Sequence, residues 1–292
     1  MKIFSGIIAA IGTAALAVIL FAVGYFPCSA PITTEVLSQN TSNYEISPYT
    51  LDDLNALAVA SRDYTVDARD AGTSVEEART AFNQVVMNAA NHSANRYLNI
   101  SKDDPSEMNQ AKKEMWTNMM SALKDTRPNV VFAQEDINEV AATMAKTGAG
   151  FAFDDDSFSH LDDCNDVING MLPNIRIAGI VALICLLLLL VTRQWRGVAR
   201  MLSIAPLILI ICFAFMGSWA LIDFSSFFAG FHGVFFPQGN WTFPTDSLLI
   251  CMYPTAFWMG MGALWLATTV VASIIVLAIG RPFARLADRK EQ

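Results

Sequence analysis

The chain has 292 residues, 53% hydrophobic and 16% charged, with a mean hydropathy of +0.38 and a formal net charge of −8. That apolar share exceeds the share in ordinary soluble domains and points to an integral membrane protein. The acid is concentrated in residues 27–173, where 23 acidic side chains stand against 10 basic ones. Such a surface repels polyanions and excludes a nucleic-acid partner.

The first predicted element is an apolar run from about Ile3 to Phe26. It reaches the roughly 20 residues a helix needs to cross a bilayer. Its apolar core is longer than that of a signal peptide, and Gly24, Tyr25, Phe26 and Pro27 before Cys28 lack the small-residue processing pattern. Residues 1–26 are therefore read as an uncleaved transmembrane anchor.

Residues 27–173 are predicted to be an acidic helical domain. Ser47 to Thr50 leads into Leu51, Leu54, Leu57 and Ala58 at amphipathic spacing. Ser74 and Glu77 have the spacing of a capping box, followed by Val75, Ala78, Phe82, Val85, Val86 and Ala89 on one face. Asp104 and Pro105 read as the cap and first residue of a third helix, with Met108, Ala111, Met115, Met119 and Leu123 on its apolar side. Gln134 to Lys146 is a fourth helix. Gly148 and Gly150 break the pattern, and the acidic run Asp154 to Asp156 opens a fifth helix carrying His160. The Met and Phe stripes are read as the core of a small bundle, and His92 as a solvated surface residue.

Three more apolar runs follow, at about Ile175–Val191, Leu202–Phe224 and Phe257–Ile279. Each is predicted to be a helix, because lipid offers no other partner for the backbone of an isolated span. Arg193, Arg196 and Arg200 lie between the second and third runs. Arg281, Arg285, Arg289 and Lys290 follow the fourth, and Lys2 precedes the first. The positive-inside rule then places both termini in the cytoplasm, with residues 27–173 and the loop 225–256 outside and 280–292 as a cytoplasmic tail. The predicted fold is all-α: four transmembrane helices, multi-pass in a cell membrane, with a helical extracytoplasmic domain between the first and second. Spans two to four fall within residues 174–292. Arg176, at the outer end of the second span, either snorkels or binds an acidic lipid headgroup. Cys185 and Cys212 lie mid-span. Cys28, Cys164 and Cys251 lie outside, where spacing leaves a disulfide open.

Two constellations carry candidate chemistry. On a helix, Asp163 and Cys164 share the face of His160, and a carboxylate beside an imidazole fixes its tautomer and raises its basicity. The bland alternative is an acidic helix start that only satisfies the dipole. The second is the stretch Phe231 to Pro254. Phe227, Phe228, Phe231, Phe235 and Phe236 are predicted to embed a short helix or re-entrant segment in the outer leaflet. There His232 sits at the depth of lipid ester carbonyls, Pro237 to Asn240 turn the chain and Trp241 anchors the interface. Asp223 and Asp246 flank it, and acidic groups at membrane depth are functional candidates. The alternative is an aromatic belt around a structural histidine. Two imidazoles near one leaflet can take and return a proton near neutral pH, as acyl transfer at an ester requires. No Cys-x-x-Cys or His-x-x-x-His spacing suggests zinc.

At these residues the chain resembles the bacterial four-span membrane proteins that include the lipoprotein intramolecular transacylase. The resemblance rests on Ser159, His160 and Leu161 through Asp166 and Val167. It rests equally on Phe231, His232, Phe235 and Phe236, on Asn240, Trp241 and Phe243, and on Asp246 to Leu248. Pro48 to Thr50, Asp53, Leu54 and Arg62 to Tyr64 look familial too. The resemblance implies transfer of an ester-linked acyl chain to the α-amine of a diacylglyceryl-modified lipoprotein N-terminus. It implies His160 as general base and His232 as its partner, in roles that can be exchanged, with Asp163 or Asp166 orienting the base and no external cofactor. It also implies that residues from about 67 to 153 are an insertion absent from compact relatives. Two rival readings are a non-enzymatic membrane protein whose acidic helical ectodomain binds a partner, and a metal hydrolase using His160, His232 and nearby Asp side chains.

Overall fold

A computed structural model describes residues 2–67, 72–126 and 137–289. Every regular element among them is a helix. In chain order these are α1 (Lys2–Val23), α2 (Tyr25–Cys28), α3 (Pro31–Thr41), α4 (Leu51–Val66), α5 (Val75–Leu98) and α6 (Glu107–Thr126). They continue with α7 (Ile137–Thr147), α8 (Asp155–Val191), α9 (Trp195–Ile222), α10 (Phe224–Phe235), α11 (Leu248–Met252) and α12 (Thr255–Arg289). The predicted start of the fourth helix of residues 27–173, at Gln134, lies outside the described residues.

Among the described residues four helices are long and apolar enough to cross a membrane: α1 with α2, α8, α9 and α12. The predicted all-α, four-span class holds. Three spans are longer than their hydropathy alone implied; α9 opens at Trp195, ahead of the predicted Leu202. The fifth helix of residues 27–173 and the second span are one 37-residue helix, α8, which runs through Pro173. Proline there removes one intrahelical N–H but does not end the helix. Likewise α12 continues through Pro282.

The described residues divide into two compact units. One, the span unit, draws on Met1–Cys28, Val167–Phe235 and Gly262–Gln292; the other, the globular unit, on Ser29–Asp166 and Phe236–Met261. In the span unit small residues allow close helix approach, as expected where lipid leaves no hydrophobic drive between spans. A Cβ at Gly12 would meet Met201 and Cys185 at 2.7 and 2.9 Å. Gly24 separates α1 from α2, and a Cβ there would lie 2.0 Å from the indole of Trp265. That indole donates from Nε1 to Phe21 O at 2.8 Å.

The globular unit has one continuous core. It joins Leu54, Leu57, Phe82, Val86, Trp116 and Met119 to Phe151, Phe153 and Phe158, and to Leu248, Met252 and Phe257. Its helix starts are capped by their own sequences. Thr50 Oγ1 accepts from Asp53 N, and Ser74 with Glu77 forms the predicted capping box. Asp154 Oδ1 takes Ser157 N at the start of α8. The start of α6 falls two residues later than predicted, because Ser106 Oγ receives Asn109 N while Asp104 holds the turn by accepting from Ser106 N. Residues 243–253 return to this core. Leu248 N donates to Ala149 O, Tyr253 Oη to Ala58 O, and Cys251 O accepts from Asn43 N. All five cysteines are free thiols, so no disulfide joins Cys28, Cys164 or Cys251.

Candidate active site

His160 stands in the second turn of α8, in the globular unit, 8% exposed. Its ring packs edge-on against Phe236 at 4.9 Å and tilted against Phe243 at 5.7 Å between centroids. Nε2 lies 3.7 Å from Cys164 Sγ, one helical turn on. Asp163 shares this side of the helix. Its Oδ2 accepts from Asn240 Nδ2 at 2.7 Å and from Gln238 Nε2 at 2.8 Å, and Asn240 Nδ2 also lies 3.4 Å from Ser159 Oγ. The Asp163 carboxylate therefore fastens the turn 237–240 against the histidine helix. Trp241 is half-buried beside it.

The other faces of the same short stretch are gripped as well. Tyr64 Oη donates to Asp162 Oδ1 at 2.5 Å, and Arg79 Nη2 donates to Asp162 Oδ2 at 3.0 Å. Arg79 also covers the Phe158 ring, 4.8 Å from its centroid. The fully buried Asn165 donates to Thr65 O at 2.8 Å.

His232 lies in α10, in the span unit, and is 7% exposed. Phe228 O can only accept, so His232 Nδ1–H donates to it at 2.9 Å and Nε2 carries the lone pair. The ring lies over Phe228 at 3.8 Å and against Phe231 at 5.7 Å. Burial pushes the imidazole below its ordinary value, partly offset by the bond to Phe228 O. That favours the neutral ring near neutral pH.

The remaining predicted residues are dispersed. Asp223 caps α10, taking Ser226 N at 3.0 Å. Asp246 is exposed, and its carbonyl lies 2.9 Å from where a Cβ on Gly150 would sit. Asp166 is exposed six residues past His160, on another face of α8, and Arg176 is exposed further along the same helix. Among the described residues no three His, Cys, Asp or Glu side chains are grouped to hold a metal ion. Gln238 and Arg79 were not singled out from the sequence, and Phe243 and Tyr64 stood there only in familial blocks, without these contacts. Gln238 had a weak signal, as a polar side chain in the turn of a phenylalanine-rich loop.

A sequence model of the family described as lipoprotein intramolecular transacylase matches residues 80–258, a range that holds His160 and His232. No curated protein and no solved structure matches the chain.

Proposed function

The chain belongs to the lipoprotein intramolecular transacylase family, and from that premise we propose that it is a membrane acyltransferase acting on lipoprotein N-termini at the outer leaflet. The substrate proposed is a diacylglyceryl-modified cysteine. Its free α-amine attacks the carbonyl of a glycerol ester; the amine proton goes to a histidine, and the departing glycerol oxygen takes a proton back. The products are an N-acyl amide and a monoacylglyceryl thioether, so nothing is consumed beyond the substrate.

One observation carries the reading. Of the residues that bear the resemblance, the Ser159–Val167 block and the Phe236, Asn240 and Phe243 positions are bound together around the buried His160 ring through Asp163, Gln238, Asn240, Phe236 and Phe243. We assign His160 as the general base and His232, held through Nδ1–H by Phe228 O, as the group that returns the proton or polarises the carbonyl. Proton transfer by one positioned group contributes on the order of 10²- to 10⁴-fold to rate. Residues 27–173 and 225–256 face outside in this proposal, and both termini face the cytoplasm.

The test is expression in a bacterium that lacks lyso-form lipoproteins, followed by mass spectrometry of lipoprotein N-termini. The N-acyl, S-monoacylglyceryl form is expected with the wild-type chain and lost with His160→Ala or His232→Ala. Full conversion by both variants would remove the assigned roles. No conversion by folded wild type would favour a partner-binding protein instead.

A further inference from the structure

Residues 158–165 of α8 show what holds the reactive ring in place. At 3.6 residues per turn, positions two apart lie nearly opposite one another, and positions four apart lie on the same side. Phe158 and Asp162 therefore share the face directly behind His160 and Cys164. Arg79 grips both. Its guanidinium pairs with the Asp162 carboxylate at 3.0 Å and covers the Phe158 ring at 4.8 Å. Tyr64 occupies the second carboxylate oxygen at 2.5 Å and packs edge-on against Phe158 at 5.5 Å. Phe82, one turn beyond Arg79 on α5, meets Phe158 edge-on at 5.9 Å.

We infer that Arg79, a residue of the 67–153 segment, is a positioning residue that sets the rotation of α8 about its axis and so aims His160 at Phe236, Phe243 and the 237–240 turn. The inference rests on the catalytic reading of His160 given above. It gives residues 67–153 a place in the catalytic framework, in contrast to a detachable partner-binding module. A planar guanidinium can pair with a carboxylate and lie on a ring at once, whereas an ammonium supplies only a point charge. Two contacts from one rigid group, to two side chains on one helix face, resist rotation where either alone would act as a pivot.

The chain has three histidines, His92, His160 and His232, so ring-labelled histidine gives a short spectrum in which His160→Gln assigns one signal. In full-length Arg79→Ala the His160 ring signal is expected to shift while that of His232 stays. Conversion per folded molecule is expected to fall on the order of 10- to 100-fold, the scale of a reacting group displaced by about 1 Å. The loss should lie in turnover, with substrate saturation unchanged, and Arg79→Lys should recover only part of it. An unmoved His160 signal in folded Arg79→Ala, or conversion equal to wild type, overturns the inference. Tyr64→Phe provides a second variant if Arg79→Ala fails to fold, with the same shift expected and the same outcomes decisive. Absence of conversion by wild type would count against the proposed function, and the His160 signal would still decide whether Arg79 aims the ring.

Discussion

Lys112 has no exposed surface, an unusual state for a lysine. Its Nζ donates to Tyr49 O at 2.7 Å and to Tyr44 O, and it faces the Tyr44 and Tyr97 rings at 5.2 and 5.3 Å. It thereby ties α6 to the segment before α4, where Trp116 Nε1 also holds Pro48 O. Burial pushes Lys112 down to about 8, against about 10.4 in an unfolded chain. Between those values the unfolded chain holds the extra proton, so this residue's contribution to stability rises with pH across the window and declines as pH falls toward 8. Other buried groups titrate there in the opposite sense; burial holds Cys251, for one, up at about 12. The informative quantity is therefore the difference between wild type and Lys112→Met. That difference in thermal unfolding temperature should move in favour of wild type from pH 8 to pH 10, and a flat difference would contradict a neutralised lysine. In the span unit, Gly24→Val should lower the unfolding temperature in detergent, because the Trp265 indole occupies the space a side chain needs.

Helices α4, α5 and α8 converge on an aromatic cluster: Phe82 stacks on Phe153 at 4.5 Å, and both meet Phe158 edge-on. Phe82→Ala should destabilise the globular unit by about 3–5 kcal/mol through lost burial and the cavity left behind. Ser74→Ala should cost about 1 kcal/mol, because it removes only an exposed cap. Chemical denaturation of the two variants against wild type checks the ordering. At this scale the helices with periodic apolar residues and cap signals were legible from the sequence. Helix α3 was not, because the side chains it buries are Thr34 and Ser38, with no apolar period to read. Nor was the continuity of α8, since proline is a boundary signal in most contexts and Pro173 lies just ahead of the apolar run.

Across the whole molecule, hydropathy made the four spans readable and the charge contrast made an orientation readable as an expectation. Impermeant maleimide applied to intact cells, in a background without native cysteines, should label Thr117→Cys. It should reach Asp288→Cys only after lysis. The reverse pattern would invert the proposed topology. His160, Asp163 and Asn240 were legible as candidates through their motif. The supports behind them were not, because Arg79 and Asp162 are separated by 83 positions and Tyr64 and Asp162 by 98. No local spacing rule reaches that far, and only the folded chain makes such residues neighbours.

Within residues 158–165 of α8, every side of the helix is spoken for: 158 and 162 by Arg79, 159 and 163 by the 237–240 turn, 160 by Phe236 and Phe243, 165 by the end of α4. Ordinary surface helices accept replacement on one flank and resist it on the other, which leaves a rhythm of permissive sites. A saturation scan of this octet should lack that rhythm and be intolerant at nearly every position, whereas α6 should alternate with helical periodicity.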